Sequence, residues 1–246
     1  MPALPRRALI AVTSASANLF PDENDSSKGE ITGVFIGEAL HPYNVLTAAG
    51  FEVDIASEKG VYTADWLSLQ PGFLSDEERK QYDDKTSDFR KKLDAGLEAE
   101  SLDGNNYGIF FASAGHAALI DYPHATALKA IASKVWENGG IVSSVCHGPA
   151  IFPGIIDSKT GKSIIEGKKI TGFTREGEET MKLMPALESW GEPLIDTWAE
   201  RLGATYLRDD DIWGDYNITD GRIVTGQNPQ SAMSTAKAVV EAFEKL

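Results

Sequence analysis

Four short apolar runs, separated by longer amphipathic or polar stretches, constrain this chain more than any other feature. They are Arg7–Thr13 (RALIAVT), Phe51–Ala56 (FEVDIA), Tyr107–Ala112 (YGIFFA) and Ile141–Val145 (IVSSV). A strand buried on both faces reads as a nearly continuous apolar run, which marks a parallel sheet covered by helices. The intervening segments supply helices. Gly33–Ala49 carries Val34, Phe35, Ala39, Leu40, Tyr43 and Leu46 at helical spacing and is closed by Gly50. Ala125–Glu137 stops at Asn138-Gly139-Gly140. The expected fold class is α/β, a doubly wound, mostly parallel sheet with helices on both faces.

Later elements continue the pattern. Lys169–Thr171 and Thr205–Leu207 read as short strands, and Leu194–Leu202 as a helix after Pro193. Asn217–Thr219 and Arg222–Thr225 flank Asp220-Gly221, a two-residue hairpin signal. Ser231–Lys245 reads as a closing helix, and Asp157–Lys168 as a surface hairpin. Between Ser57 and Asn106 the rhythm breaks into a polar stretch with scattered apolar residues such as Trp66, Leu69, Phe73 and Phe89. A connection of that length is expected to order against the core as a cap. With no repeat, low-complexity tract or composition shift, residues 1–246 read as a single domain with an insertion at about 57–106.

The chain has one cysteine, Cys146, so it can form neither an internal disulfide nor a multi-cysteine metal site. That favours a reducing compartment. A net charge of −14 repels phosphate backbones and anionic lipid, so no nucleic-acid or membrane partner is expected. The N-terminus lacks the apolar region of a signal peptide, and no stretch approaches transmembrane length. The expected location is cytoplasmic, with room for a nuclear pool.

Cys146 ends the fourth apolar run and opens Cys146-His147-Gly148-Pro149, residues suited to starting a helix. A thiol there faces the carboxyl edge of the sheet, where open α/β sheets bind ligands, and a helix N-terminus would lower its pKa. The backbone N–H of His147 could serve an oxyanion formed by attack of the sulfur. A lone cysteine ending a strand is equally a small buried hydrophobe, and side chains adjacent in sequence need not touch. Two other segments reach the same edge: Ala112-Ser113-Ala114-Gly115-His116, and the turn from Thr171 to Glu178. A carboxylate beside His147 would complete a Cys–His–acid set. Taken alone, Glu178 is a solvated first-turn glutamate and His116 a satisfied loop histidine. Glu38 falls near the buried stripe of its helix, where burial would raise its pKa.

Together these stretches resemble the ThiJ/PfpI superfamily of the class I glutamine amidotransferase-like fold, a flavodoxin-like arrangement. The resemblance is nearest to the fungal heat-shock chaperone branch that holds the glutathione-independent glyoxalases (glyoxalase III). It rests on Thr32–Pro42, Phe110–His116, Asp121–Pro123, Val145–Phe152, Ile165–Lys168, Ile170–Thr174 and Asp220–Gly226, in the family's order. Ala117 stands where relatives often carry glycine, and Arg175-Glu176 is a variable stretch. The resemblance implies a lyase that turns methylglyoxal into D-lactate with neither cofactor nor metal. It implies Cys146 as nucleophile, Glu38 against its sulfur, His147 and Glu178 as triad partners, Gly115 and His147 as backbone oxyanion donors, and His116 on the pocket wall. It also implies a homodimer and a stress-response role with unfolded protein clients.

Four rival functions arise on the sequence, and the first fails. A glutaminase of this fold needs a histidine far downstream of the nucleophile, and no histidine follows His147. A cysteine peptidase is opposed by the capping insertion. A non-enzymatic chaperone, or a redox sensor in which Cys146 oxidises beside Glu38, stays open.

Overall fold

The computed structural model describes residues 3–22 and 25–246. Its centre is a seven-stranded sheet. The four apolar runs form its middle: β1 (Arg7–Val12), with the hairpin strands β2 (Ala17–Asp22) and β3 (Asp25–Thr32) outside the main sheet, then helix α1 (Ile36–Ala48) and β4 (Glu52–Ser57). Within the insertion come α2 (Asp76–Asp83), α3 (Asp88–Asp94) and the two-residue β5 (Leu97–Glu98). Next are β6 (Ile109–Ala112), α4 (Ala118–Asp121), α5 (Thr126–Glu137) and β7 (Ile141–Val145). A small hairpin, β8 (Ile156–Asp157) with β9 (Lys162–Ser163), and the parallel pair β10 (Lys169–Ile170) and β11 (Thr205–Tyr206) lie apart. Helices α6 (Arg175–Thr180), α7 (Met184–Trp190) and α8 (Ile195–Arg201) fall between β10 and β11. The chain closes with β12 (Asn217–Asp220), β13 (Ile223–Gly226) and α9 (Ala232–Phe243).

The order across the sheet is β12-β13-β7-β6-β1-β4-β5. Every neighbouring pair is parallel except the β12–β13 hairpin at one edge. The reason is visible in the burial. Ala8, Ile10, Ile109, Phe111, Ile141 and Val145 enter one core, and Leu9, Ala11, Phe110, Ala112 and Val142 the other. Both faces are dry, so neither can carry the polar residues of an alternating strand. Helices α1 and α9 pack together on one side; α5 covers the other.

Two features go beyond the sequence reading. The insertion is more than a cap, because its β5 extends the sheet edge by pairing with β4. The hairpin β2–β3 has no counterpart in the sequence reading; its residues carry no apolar alternation to announce it.

The insertion is tied to the segment that leads into α1. Val34 bridges Ala64, the Val34 N–H donates to Thr63 O at 2.7 Å, and the Asp65 N–H donates back to Val34 O at 2.9 Å. Further along, Ser75 and Glu78 form a capping box at the start of α2, and the same Glu78 meets His41 of α1 at 3.0 Å. These contacts fix the insertion over the carboxyl ends of the central strands.

Candidate active site

Cys146 comes directly after the last residue of β7 and adopts φ 59°, the left-handed region that L-residues enter at a cost of roughly 1–2 kcal/mol. Its backbone is held there from both sides: its N–H donates to Gly226 O at 3.0 Å and its carbonyl accepts from the Phe173 N–H at 2.8 Å. The bend throws the side chain above the sheet edge.

His147 does touch its neighbour. Its Nδ1 lies 3.2 Å from Cys146 Sγ, and its Nε2 lies 2.6 Å from Glu178 Oε1. Glu178 sits in α6, whose N-cap Thr174 accepts from the Gly177 N–H at 3.0 Å. The second oxygen of Glu178 meets His116 Nε2 at 3.1 Å, a pairing that spacing in sequence did not reveal. All three side chains are buried. Burial alone would raise the Glu178 carboxyl, but the two imidazoles outweigh it and hold the group down at about 2. Burial and then the neighbouring His116 push His147 below the usual imidazole range, against the pull of Glu178. An ionised Glu178 takes the Nε2–H of His147, which leaves Nδ1 with a lone pair facing the thiol.

Glu38, in the first turn of α1, is fully buried. Its Oε2 accepts from the Ala114 N–H at 3.0 Å; Oε1 has no hydrogen-bond partner among the described residues, and the Cys146 thiol lies beside the carboxyl. Burial raises the carboxyl to about 8 against the opposing hydrogen bonds from Cys146 and Ala114, and Asp65 adds to the rise. Asp65, from the insertion, is itself buried; it accepts from the Ser68 N–H at 3.1 Å and the Gly33 N–H at 3.4 Å. Nothing in the local sequence distinguishes it from the surrounding surface acids.

The expected lowering of the Cys146 thiol pKa is overturned. The chain leaves the cysteine in a four-residue 3₁₀ turn, Gly148–Ile151, too short to develop the dipole of a full helix. Burial, with Cys146 only 2% exposed, and then the Glu38 carboxyl push the thiol well above its ordinary value. At neutral pH both Glu38 and Cys146 therefore keep their protons. His147 Nδ1, 3.2 Å from the sulfur, is the base placed to take the thiol proton.

Gly115 has φ 141°, and a Cβ there would lie 2.1 Å from Gly33 O. Only glycine lets the loop after β6 close onto the segment before α1, where the Phe35 N–H donates to Ala114 O at 2.7 Å. Gly115, His116 and Cys146 all line one cavity of about 350 Å³, walled by Phe35, Phe73, Phe173 and Trp213. The structure thus gathers the sequence-derived residues Cys146, His147, Glu178, Glu38, Gly115 and His116 in one place. Asp65 and Trp213 are the additions.

His116, His147 and Glu178 offer ligand atoms within 4.8 Å of one another, so a divalent cation could be held there. Their present spacings of 2.6 and 3.1 Å are those of hydrogen bonds, so the three groups already satisfy one another.

No family model matches the chain. It is 45% identical to "Glyoxalase 3" of Candida albicans over 238 residues, covering 97% of this chain and 98% of that protein. It is 45% identical over 240 residues to a glutathione-independent glyoxalase of Saccharomyces cerevisiae, covering 98% and 99%. The crystal structure of glyoxalase III from Candida albicans superposes with a TM-score of 0.92, covering 98% of each chain. A ThiJ/PfpI domain protein from Brachyspira murdochii, 14% identical with a TM-score of 0.58, covers 99% of each chain and shares the fold. A buried Cys–His–Glu set on this fold, with relatives matched end to end, leads to one conclusion: the chain belongs to the family of fungal glutathione-independent glyoxalases.

Proposed function

We propose that this protein converts methylglyoxal to D-lactate through a covalent intermediate on Cys146, using neither glutathione nor a metal. The observation that carries the reading is the contact chain Glu38–Cys146–His147–Glu178, with its 3.2 Å and 2.6 Å steps, at one end of an apolar cavity.

The sulfur adds to the aldehyde carbon as its proton passes to His147 Nδ1. The resulting oxyanion is met by backbone N–H groups at Gly115 and His147, and the product is a hemithioacetal. The hydrogen on the aldehyde carbon then leaves as a proton, giving an enediol, and the neighbouring carbon is reprotonated. Glu38 beside the sulfur and His147 are the proton carriers. One carbon is oxidised and its neighbour reduced, so the step balances within the substrate and calls for no external oxidant or reductant. A lactoyl thioester results. Water attacks it, lactate leaves, and the thiol is restored. A raised Glu38 suits this role, since a carboxyl with its pKa near 8 both donates and accepts a proton around neutral pH.

The test is incubation with methylglyoxal in the absence of glutathione, followed by a stereospecific D-lactate assay. Wild-type protein dialysed against a chelator is expected to form D-lactate at its full rate. Cys146→Ala is expected to lose activity by a factor of about 10³ or more. Absence of D-lactate from the wild type, or full activity in Cys146→Ala, overturns the reading. Retention of client-protein protection by an inactive Cys146→Ala protein would identify chaperoning as a separate function of the surface.

A further inference from the structure

The cavity over Cys146 is larger and less polar than a three-carbon dicarbonyl requires. Its volume of about 350 Å³ falls within the roughly 300–1,000 Å³ of sites that enclose drug-sized ligands. The carbonyl pair of a 2-oxoaldehyde needs only the end at Cys146, Gly115 and His116. The rest is carbon. Phe35 and Phe73 meet edge to face with centroids 5.2 Å apart, Phe173 and Trp213 lie 6.0 Å apart, and Leu67 and Met181 fill between. Among the described residues, no Lys, Arg, Asp or Glu lines the space. A charged or strongly hydrated substituent would lose most of its water there with only the Gln230 amide to replace it. A methyl group would leave most of the aromatic wall uncovered. An aryl ring would cover it and gain edge contacts as well.

We propose that the preferred substrates are 2-oxoaldehydes whose second substituent is aryl or branched alkyl, and that Phe73 and Trp213 set this preference. Phe73 is half-buried and comes from the insertion; Trp213 is 38% exposed and packs near Phe173. Both therefore touch a substituent while lying away from the sulfur's hydrogen-bonded partners. The chemistry is unchanged. Sulfur bonds the aldehyde carbon, its hydrogen moves as a proton to the adjacent carbon, and water releases the 2-hydroxy acid. Phenylglyoxal thus gives mandelate. The proposal rests on the glyoxalase reading and narrows it.

The test compares kcat/KM for glyoxal, methylglyoxal, isopropylglyoxal and phenylglyoxal, without glutathione, with the hydroxy acids quantified by chiral chromatography. Ethylglyoxal and hydroxymethylglyoxal serve as an apolar and polar pair of similar size. Wild type is expected to rise along the series, with phenylglyoxal about ten-fold or more above methylglyoxal and the hydroxymethyl compound below the ethyl one. Because intrinsic reactivity differs among these aldehydes, the deciding quantity is the phenylglyoxal-to-methylglyoxal ratio in wild type against Trp213→Ala and Phe73→Ala. That ratio is expected to fall several-fold in each variant. The more conservative Trp213→Phe and Phe73→Leu, checked for an unchanged melting temperature, provide the same comparison if the alanine variants do not fold. Constant kcat/KM along the series, or an unmoved ratio in the folded variants, overturns the proposal and leaves the glyoxalase reading standing. Absence of turnover with every 2-oxoaldehyde overturns the glyoxalase reading itself.

Discussion

Two residues set the chemistry of the sulfur, and their titration has a measurable signature. Glu38 holds its proton to about pH 8 in the folded protein and would release it near 4.5 in the unfolded chain. The neutral carboxyl's contribution is therefore present in full below pH 4.5 and is lost as pH rises towards 8. Across that window the wild type is expected to lose several kcal/mol relative to Glu38→Gln, whose amide keeps the Ala114 and sulfur contacts but cannot ionise. Thermal melting of both proteins from about pH 5 to pH 8.5 checks this, and parallel curves would refute it. The same variant is expected to lose a factor of about 10²–10⁴ in kcat, since an amide neither releases nor takes up a proton near neutral pH. Cys146 was legible as a candidate nucleophile from the apolar strand before it and the His-Gly-Pro after it, but only the family resemblance set it above a small buried hydrophobe. The direction of its pKa was not, because the deciding effects are burial and a carboxyl more than a hundred positions away in sequence.

At the scale of elements, the loop after β6 and the lead-in to α1 act as one piece. Ala114 exchanges hydrogen bonds with Phe35 and Glu38, and Gly115 lies where any Cβ would strike Gly33 O. Gly115→Ala is expected to cost about 2 kcal/mol or more and to reduce kcat by pulling an oxyanion donor out of line. Gly139→Ala is the control: it also has positive φ, 93°, but open space around it, so the cost should stay near 1 kcal/mol with kcat unaffected. Urea melts and steady-state rates on both variants separate strain from misplacement; equal losses would show that Gly115 matters only for its backbone angle. The central strands and the helices on either side were readable because burial on both faces writes itself as uninterrupted apolar runs. The β2–β3 hairpin was not, since Ala17–Thr32 is polar through most of its length and pairs outside the main sheet. Asp65 was hidden for a similar reason: its burial comes from the insertion folding back onto Gly33, which no local pattern encodes.

In the molecule as a whole, Glu178 joins pieces that leave the sheet at different strands. His116 follows β6, His147 follows β7, and Glu178 itself comes from α6. Its folded pKa of about 2 lies below the ordinary 4.5, so the stability it contributes is present above pH 4.5 and lost as pH falls towards 2. Glu178→Gln is expected to be destabilised by about 3 kcal/mol at pH 7, with the gap from wild type closing as the pH approaches 2. Urea unfolding at a series of acidic pH values measures that gap; a constant difference would mean the carboxylate charge is irrelevant to holding the three segments together. The resemblance in sequence pointed to Glu178, while its second imidazole partner became evident only in three dimensions.

The backbone tie between Val34 and Ala64 has one more consequence. A single stretch of chain delivers Leu67 and Phe73 to the cavity wall and, through the same tie, steadies the helix that presents Glu38 to the sulfur. Trp213 belongs to a loop suspended from Gln227 and Asn228, with no such link to the acid. Evolution can therefore retailor what this enzyme accepts from the Trp213 side without moving Glu38, provided Phe173 keeps its stack on His147. Any widening from the insertion side detunes the proton chemistry in the same stroke.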